Sequence, residues 1–280
     1  MWLEAIWRYP VKSMAGERLD AARLGQLGVP GDRLAYVVDE RGAIVSARTR
    51  PRLLGLRGGS GADGSPTVNG NAWDDAVAGG LVRAAAGPGA RLARAASSER
   101  FDILPLLVVS DGAVREAAVD VRRLRPNLVI GGVEGLAERG WEGRFLRIGD
   151  AVVALATLRA RCIVITYHPD TLEQDVGVLR DVRQRFAGSL ALNAWTARPG
   201  TIQVGDPVEL LESFDEASAP RRGRFVAAWM GPVPDARRAE GPAPPRRPRR
   251  DAPRPPHPPG VGTERGPRPP SGPGLAALAR

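Results

Sequence analysis

The 280-residue sequence has only one cysteine, one lysine and two histidines, and only 5% of its residues are aromatic. A single cysteine cannot form an internal disulfide. It also cannot supply the several thiolates that a structural zinc site or an iron–sulfur cluster requires. The sequence therefore predicts no iron–sulfur cluster in this chain, and redox chemistry at the lone Cys162 would depend on another cofactor.

Long apolar runs are also missing. No run approaches the roughly 18 consecutive apolar residues that a membrane helix needs. The first residues, MWLEAIWRYPVKS, alternate apolar and polar side chains and include Glu4. They have neither the basic start nor the continuous apolar stretch of a signal peptide. These features predict a cytoplasmic protein without a membrane span.

Positive charge is concentrated at the C-terminal end. The formal net charge is +9, and the segment from Ser213 to the end contains 13 Arg against 6 Asp and Glu. Stretches such as GPAPPRRPRRDAPRPPHPPG combine proline, glycine and arginine with few apolar side chains to bury. This composition is typical of disorder, so residues 213–280 are predicted to form a disordered basic tail.

The region before the tail is predicted to be α+β and rich in strands, in two domains. Residues 1–96 contain short alternating runs, WLEAIWRY, LAYVVD and AIVSAR, separated by turns and by glycines near 58–64. This pattern predicts a small β-barrel. Residues 97–212 mix strands with short helices and form the second predicted domain.

Several elements of the second domain follow from local patterns. LPLLVVS and NLVIGG are predicted to be buried strands, with a short helix between them that Ser110 or Asp111 could cap. RFLRIGDAVVALATL and RCIVITY are predicted to form further strands. GVLRDVRQRF has helical spacing of its apolar residues, and TIQVGDPVELL is predicted to be a hairpin-like pair of strands.

Cys162 is the first candidate for chemistry. The sequence places it next to Arg159 and Arg161. Neighbouring positive charge favours the thiolate, which is the form that binds soft metals. A lone cysteine can equally be a small buried core residue, so the interpretation depends on its surroundings.

Other polar residues fall at the predicted ends of strands and helices. Arginine, lysine and helix N-termini are the groups that hold phosphate and other anions. Surface arginines and Gly-Asp-Arg turns are also common in solvated positions. The anion-binding candidates are Lys12, Ser13, Arg33, Ser110, Arg123, Arg125 and Asn127.

The order of several motifs resembles one family. YPVKS, then GDR about twenty residues later, RRLRPNLVI, Trp141, RCIVITYHPDT and PGTIQVGDPVEL follow one another in this chain. This order resembles proteins in which a MOSC N-terminal β-barrel domain precedes a MOSC domain. It is similar to the mitochondrial amidoxime-reducing component and its bacterial relatives. The resemblance covers roughly residues 1–212.

The resemblance implies a molybdenum–molybdopterin cofactor bound between the two domains. In the family pattern Cys162 corresponds to the protein ligand of the metal, at the catalytic centre. The positions that correspond to pterin- and phosphate-binding residues are Lys12, Ser13 and Arg33 in the first domain and Ser110, Arg123, Arg125 and Asn127 in the second.

The leading functional hypothesis is therefore a reductase of N-hydroxylated compounds such as amidoximes, hydroxylamines or N-hydroxylated bases. Electrons would come from a separate ferredoxin- or flavoprotein-type partner, because this chain lacks the cysteine-rich module of some relatives. His168 departs from the acidic residue frequent at that position. It is either a proton donor near the metal or an exposed turn residue.

Two other hypotheses remain open. The chain could carry the cofactor or activated sulfur on Cys162 and pass it on without turnover of its own. Alternatively, the arginine-rich tail could bind nucleic acid or an acidic surface electrostatically. The tail lacks the regular aromatic residues that stack on bases, which disfavours nucleic-acid binding.

Overall fold

A computed structural model describes residues 1–95 and 100–215. Within these ranges the protein is rich in β-structure, with sixteen strands and four short α-helices, as the sequence predicts. The predicted domain boundary between residues 96 and 97 lies at an undescribed segment. Residues 216–280 of the predicted disordered tail also lie outside the described residues. Among the described residues, no helix is long and apolar enough to cross a membrane.

The elements are numbered along the chain. The strands are β1 (Trp2–Arg8), β2 (Glu17–Leu19), β3 (Ala21–Leu24), β4 (Ala35–Val38), β5 (Ile44–Val45), β6 (Gly58–Ser60), β7 (Pro66–Val68), β8 (Asn71–Ala72), β9 (Arg91–Arg94), β10 (Leu106–Ser110), β11 (Leu128–Gly131), β12 (Phe145–Ile148), β13 (Ala151–Ala160), β14 (Ser189–Arg198), β15 (Gly200–Gln203) and β16 (Val208–Leu211). The helices are α1 (Ala76–Ala86), α2 (Asp111–Ala117), α3 (Val121–Leu124) and α4 (Val176–Arg185).

Eight strands form the main sheet, in the order β16-β12-β13-β14-β10-β11-β1-β2. The first strand also reaches the opposite edge of this sheet. The amide of Leu3 donates to the carbonyl of Asp206 at 2.9 Å, and the amide of Val208 donates to the carbonyl of Met1 at 3.0 Å. These bonds close the sheet around an apolar interior that includes Leu3 and Ile130.

A second part of the N-terminal region has its own core. β4 pairs with β5 and β9, and β6, β7 and β8 form a separate small sheet. Helix α1 buries Ala78, Val82 and Ala86 at four-residue intervals, and Asp75 caps it by accepting a hydrogen bond from the amide of Val77. The sequence pattern predicts only strands here, so this helix was not predicted. Its two central glycines lower helix propensity, so the helix is stabilised mainly by the packing of its buried face.

Two predicted elements of the second region are confirmed. Ser110 caps α2, where its hydroxyl oxygen accepts from the amide of Ala113. The amphipathic segment predicted around residues 177–186 contains α4, and Leu179 and Val182 are buried on one face. Phe186, which follows the helix, is also buried. Apolar spacing at helical period was sufficient to locate this helix.

The predicted strand RCIVITY is wrong. β13 ends at Ala160, and Cys162 precedes a short 3-10 helix at Ile163–Thr166. The β-branched residues of this segment favour a strand locally. Here, however, Ile165 is buried in the same apolar cluster as Leu179 of α4, so tertiary packing overrides the local preference.

The predicted pairing within TIQVGDPVELL is also wrong, although its turn is present. Gly205 has a positive φ of 94°, and the Asp206 carboxylate accepts from the amide of Gln203 at 2.7 Å. The two strands then separate, because β15 pairs with β3 while β16 pairs with β12. A local turn sequence does not determine which strand each arm joins.

Candidate functional site

A cavity of about 430 Å³ brings together five of the eight predicted site residues. They are Lys12, Ser13, Arg33, Arg125 and Cys162. Its wall carries six cationic side chains, Lys12, Arg33, Arg48, Arg125, Arg159 and Arg161, against the single carboxylate of Asp102. This excess of positive charge suits an anionic ligand.

Cys162 contributes a half-buried free thiol to this wall. Its backbone is extended, with φ −125° and ψ −179°, just before the 3-10 helix. Burial lowers the pKa of Arg48. Attraction to Asp102 and a hydrogen bond with the Cys162 sulfur raise it by more, so the pKa is raised overall. A cation next to a thiol favours the thiolate, the form that ligates metals.

Asp102 holds three of the cations at one end of the cavity. Lys12 Nζ lies 2.8 Å from one carboxylate oxygen, and Arg48 and Arg159 lie 3.1 Å and 3.3 Å from the other. Burial raises the pKa of Asp102, but the hydrogen bond and charge of Lys12, with the two arginines, outweigh burial and lower it. Asp102 is therefore ionised at neutral pH.

Three of the predicted residues have left-handed backbone conformations. The φ angles are 73° at Ser13, 52° at Arg33 and 57° at Arg125. This region costs a residue with a side chain about 1–2 kcal/mol, and such strain is common at functional sites. Local bonds maintain it: the Ser13 hydroxyl accepts from the amide of Ala47 at 3.0 Å, and the amide of Arg33 donates to the carbonyl of Tyr9 at 2.7 Å.

Two of the cavity arginines pack on one aromatic ring. The guanidinium carbons of Arg33 and Arg125 lie 5.3 Å and 4.4 Å from the ring centroid of Tyr9. Asp32 is fully buried, accepts from the amide of Tyr9 at 2.7 Å and pairs with the Arg33 guanidinium. Cation–π contacts contribute about 0.5–2 kcal/mol each, so Tyr9 and Asp32 fix the directions of both arginines.

Burial lowers the pKa of Arg125 and of Arg161 to about 10 each. Both guanidiniums therefore remain charged at neutral pH although they lie in poorly solvated positions. Arg161 donates from Nη2 to the carbonyl of Leu124 at 2.7 Å. Its buried Nε has no hydrogen-bond partner among the described residues. An unpaired buried donor is costly, and an anion bound in the cavity would relieve that cost.

Ser110 and Asn127 lie outside this cavity wall. Both are buried and make hydrogen bonds within the fold. The Ser110 hydroxyl accepts from the amide of Ala113 at 3.1 Å. The Asn127 carbonyl oxygen accepts from the amide of Leu107 at 3.1 Å, and its nitrogen donates to the carbonyl of Trp7 at 3.3 Å. In this structure their polar groups join β1, β10 and α2.

Arg123 and His168 also lie outside the wall. Arg123 donates to the carbonyls of Ile165 and Thr166 at 3.2 Å and 2.9 Å. It therefore anchors the 3-10 helix that begins directly after Cys162. The Nδ1 of His168 accepts from two amides of its own turn at 3.3 Å, which is the arrangement of a turn residue.

Two family models match separate parts of the chain. Residues 1–70 match the model of the MOSC N-terminal beta barrel domain, and residues 105–209 match that of the MOSC domain. The chain is a MOSC domain protein. The N-terminal match supplies Lys12, Ser13 and Arg33 to the cavity, and the MOSC match supplies Arg125 and Cys162.

Two curated proteins are similar to this MOSC protein. It is 25% identical over 277 residues to mitochondrial amidoxime-reducing component 1 of Homo sapiens, covering 74% of this chain and 82% of that protein. It is 32% identical over 129 residues to mitochondrial amidoxime-reducing component 1 of Mus musculus, covering 39% of this chain and 37% of that protein.

Solved structures give weaker matches. The YuaD protein from Bacillus subtilis aligns with a TM-score of 0.43 at 16% identity, covering 77% of this chain and all of that one. YiiM from Escherichia coli aligns with a TM-score of 0.29 at 17% identity, covering 40% of this chain and 56% of that one.

Two cavity residues were missed as site candidates. Arg48 follows β5 and reaches Cys162, and Asp102 lies in the segment before β10, between the two family matches. Arginine supplies all but one of the 40 basic residues, so no arginine is distinctive by type. The position of Asp102 shortly before a buried strand was the available signal, since site residues concentrate at strand ends and loops.

Proposed function

We propose that this MOSC protein binds molybdenum–molybdopterin in the 430 Å³ cavity and reduces N-hydroxylated compounds with electrons from a separate protein. The observation that carries the proposal is the position of Cys162. Its half-buried thiol faces a cavity whose wall holds six cationic side chains. Thiolate is a suitable ligand for a soft metal, and the cations suit the phosphate of the pterin.

The residues present fit such a cofactor. The buried Nε of Arg161 has no partner among the described residues and lies in the wall next to Cys162. The guanidinium of Arg125 makes no hydrogen bond or ion pair within residues 1–95 and 100–215, and its central carbon lies 4.4 Å from the centroid of the Tyr9 ring. These donors would pair with phosphate or pterin oxygens. Lys12 and Ser13 would bind from the N-terminal side of the cavity.

When bound, the cofactor would supply a redox-active metal for removal of oxygen from the substrate. The protein's own groups would bind and orient. Cys162 would hold the metal, and the Arg48 guanidinium would lie beside its sulfur. Asp102 would hold Lys12 and Arg159 in position through its ion pairs. Ser110, Arg123 and Asn127 would act indirectly, by fixing the elements around the site.

The names of the relatives support the choice of substrate. The human and mouse proteins are called amidoxime-reducing components. An amidoxime contains an N-hydroxyl group, so the proposed substrates are amidoximes, hydroxylamines and N-hydroxylated bases. The proposed electron donor is a separate ferredoxin- or flavoprotein-type protein.

The test is metal and pterin analysis of the full chain purified from a host that makes the cofactor, followed by reduction of benzamidoxime with a chemical electron donor. We expect near-stoichiometric molybdenum and pterin and measurable product. Cys162→Ser should lose the metal and the activity because a hydroxyl is a poor ligand for a soft metal. The control Arg52→Gln alters an exposed arginine outside the cavity wall and should match wild type.

Two results would contradict parts of the proposal. Folded wild-type protein that contains neither molybdenum nor pterin would exclude the cofactor assignment. Loaded protein that reduces none of the three substrate classes with a chemical donor would exclude the reductase. That second result would favour the carrier hypothesis, and transfer of the cofactor to an apo-acceptor enzyme would then test it.

A further inference from the structure

A second, smaller cavity of about 200 Å³ lies next to the first, and Arg125 and Val164 line both. Its other walls include Trp7, Tyr9 and Arg57. Its volume is below the roughly 300–1,000 Å³ typical of sites for drug-sized ligands. The cavity therefore suits a ligand of about one ring.

Three polar groups of this cavity, the buried Tyr9 hydroxyl, the exposed Arg57 side chain and the Arg125 side chain, have no hydrogen-bond or ion-pair partner in the described parts of the chain. Tyr9 is 2% exposed, and its hydroxyl is buried with no hydrogen-bond partner in the described parts of the chain. Within residues 1–95 and 100–215, neither the Arg57 nor the Arg125 side chain makes a hydrogen bond or an ion pair. A buried unpaired hydroxyl is destabilising. One phenol and two guanidiniums therefore offer donors to an acceptor that the protein does not provide.

The remaining charged groups of the wall already have partners. Arg122 pairs with Asp120 and, through two bonds of 2.7 Å and 2.8 Å, with Asp170. Arg123 donates to two backbone carbonyls of the 3-10 helix. Asp170 is thus neutralised by Arg122, so the uncompensated charge of the cavity is positive and belongs to Arg57, Arg123 and Arg125, of which Arg123 already donates to the backbone.

The other walls are aromatic or apolar. The rings of Trp7 and Tyr9 are nearly parallel, with an interplanar angle of 17° and centroids 6.5 Å apart. Leu54, Val164 and Tyr167 complete the apolar surface. Flat aromatic walls favour a planar apolar ligand, because ring stacking adds to the burial of apolar area.

We propose that the second cavity binds a small aromatic carboxylate whose oxygens accept hydrogen bonds from the Tyr9 hydroxyl and the Arg57 and Arg125 guanidiniums. The ring would lie against Trp7 and Tyr167. Because Arg125 lines both cavities, a ligand here would draw this arginine away from the first cavity and weaken anion binding there. This site is separate from the proposed cofactor site and does not depend on it.

The test is isothermal titration of the full-length protein with benzoate, with benzyl alcohol as the neutral probe and inorganic phosphate as the anion without a ring. We expect benzoate to bind more tightly than benzyl alcohol, and we expect phosphate, which the first cavity can bind, to bind equally well to wild type and Arg57→Gln. Arg57→Gln should weaken benzoate binding about tenfold or more, because it removes a charge-assisted hydrogen bond. Tyr9→Phe should weaken it severalfold without lowering the thermal stability of the free protein, because the lost hydroxyl has no partner.

Matched variants locate the binding. Arg52→Gln makes the same change five residues away at an exposed arginine outside both cavities, and it should bind benzoate like wild type. Lys12→Gln changes the first cavity only and should also leave benzoate binding intact. Equal affinity in wild type and Arg57→Gln, weakening by Lys12→Gln instead, or phosphate binding that Arg57→Gln weakens as much as benzoate binding would each overturn the proposal.

Discussion

Lys12 and Cys162 are each the only residue of their type in the chain, and both face the same cavity. Between them lies a network of side chains with defined charges. Asp102 bonds to Lys12 and to Arg48, and Arg48 in turn contacts the sulfur of Cys162. The thiol and the lysine are thus connected through one carboxylate and one guanidinium, and a change at Asp102 should alter the whole cluster.

Asp102→Asn should reduce stability at neutral pH and change the acid profile. The folded-state pKa of Asp102 is lowered, so its contribution is present above the unfolded value near 4 and is lost as pH falls through the folded pKa. We expect the variant to lose about 0.5–1 kcal/mol at pH 7, because three cations lose their counter-charge but solvent screens a carboxylate whose side chain is 37% exposed. As pH falls below about 4 the difference between wild type and variant should shrink, and it should vanish below the folded-state pKa of Asp102. Urea unfolding of cofactor-free protein between pH 3 and pH 7 measures both effects.

Asp74→Asn is the control for this prediction. Asp74 is exposed, and its carboxylate makes no hydrogen bond or ion pair within residues 1–95 and 100–215. Its substitution should change stability by no more than about 0.5 kcal/mol at any pH. If Asp102→Asn shows the same flat profile as Asp74→Asn, the carboxylate does not hold the three cations together.

Among the elements, the junction between β10, β14 and the 3-10 helix at Ala137–Gly140 depends on Glu138. This side chain is 1% exposed, and its two oxygens accept from the amides of Ser110 and Ala191 at 2.5 Å and 3.0 Å. Burial raises the pKa of Glu138, against the lowering effect of those hydrogen bonds. The carboxyl group thus bridges two strands at positions where the strand ladder leaves amides unpaired.

Glu138→Gln should lower the free energy of unfolding by about 1–3 kcal/mol. The amide has one acceptor oxygen, so its NH₂ group would face one of the two buried amides and leave it unsatisfied. Urea unfolding at neutral pH measures the loss. Glu134→Gln, at an exposed position four residues earlier, should be within about 0.5 kcal/mol of wild type. A neutral effect of Glu138→Gln would mean that the two amides find other acceptors.

Local patterns predicted the elements whose own packing determines them. Alternation located β1, continuous apolar runs located β10 and β11, and helical spacing located α4. The prediction of a strand at RCIVITY is wrong because the burial of Ile165 against α4 depends on residues outside that segment. The prediction that β15 and β16 pair with each other is wrong for the same reason. At the site, the rarity of lysine and cysteine pointed to Lys12 and Cys162, whereas the role of Arg48 depends on how distant loops meet.

At the scale of the whole molecule, the first strand connects regions that the family models separate. β1 pairs with β11 along its length and reaches the β16 edge through Leu3. Residues 1–95 and 100–215 accordingly belong to one compact unit. The division into domains at residue 96 stays a prediction. Arg125 lies on the segment that precedes β11 and Cys162 on the segment that follows β13, so closure of the sheet by β1 should matter for the site.

Leu3→Ala should therefore loosen the MOSC region although it lies in the N-terminal match. Leu3 is fully buried inside the closed sheet, and removing its side chain should cost about 2–5 kcal/mol. Hydrogen exchange followed by mass spectrometry should show faster exchange in β12 and β16, with little change in β4 and β9. Leu53→Ala, which opens an equally buried position in the separate N-terminal core, should show the reverse pattern. A strand edge that depends on a pairing partner must lose protection from exchange when that partner is weakened. If Leu3→Ala accelerates exchange only within the N-terminal strands, β16 does not depend on β1.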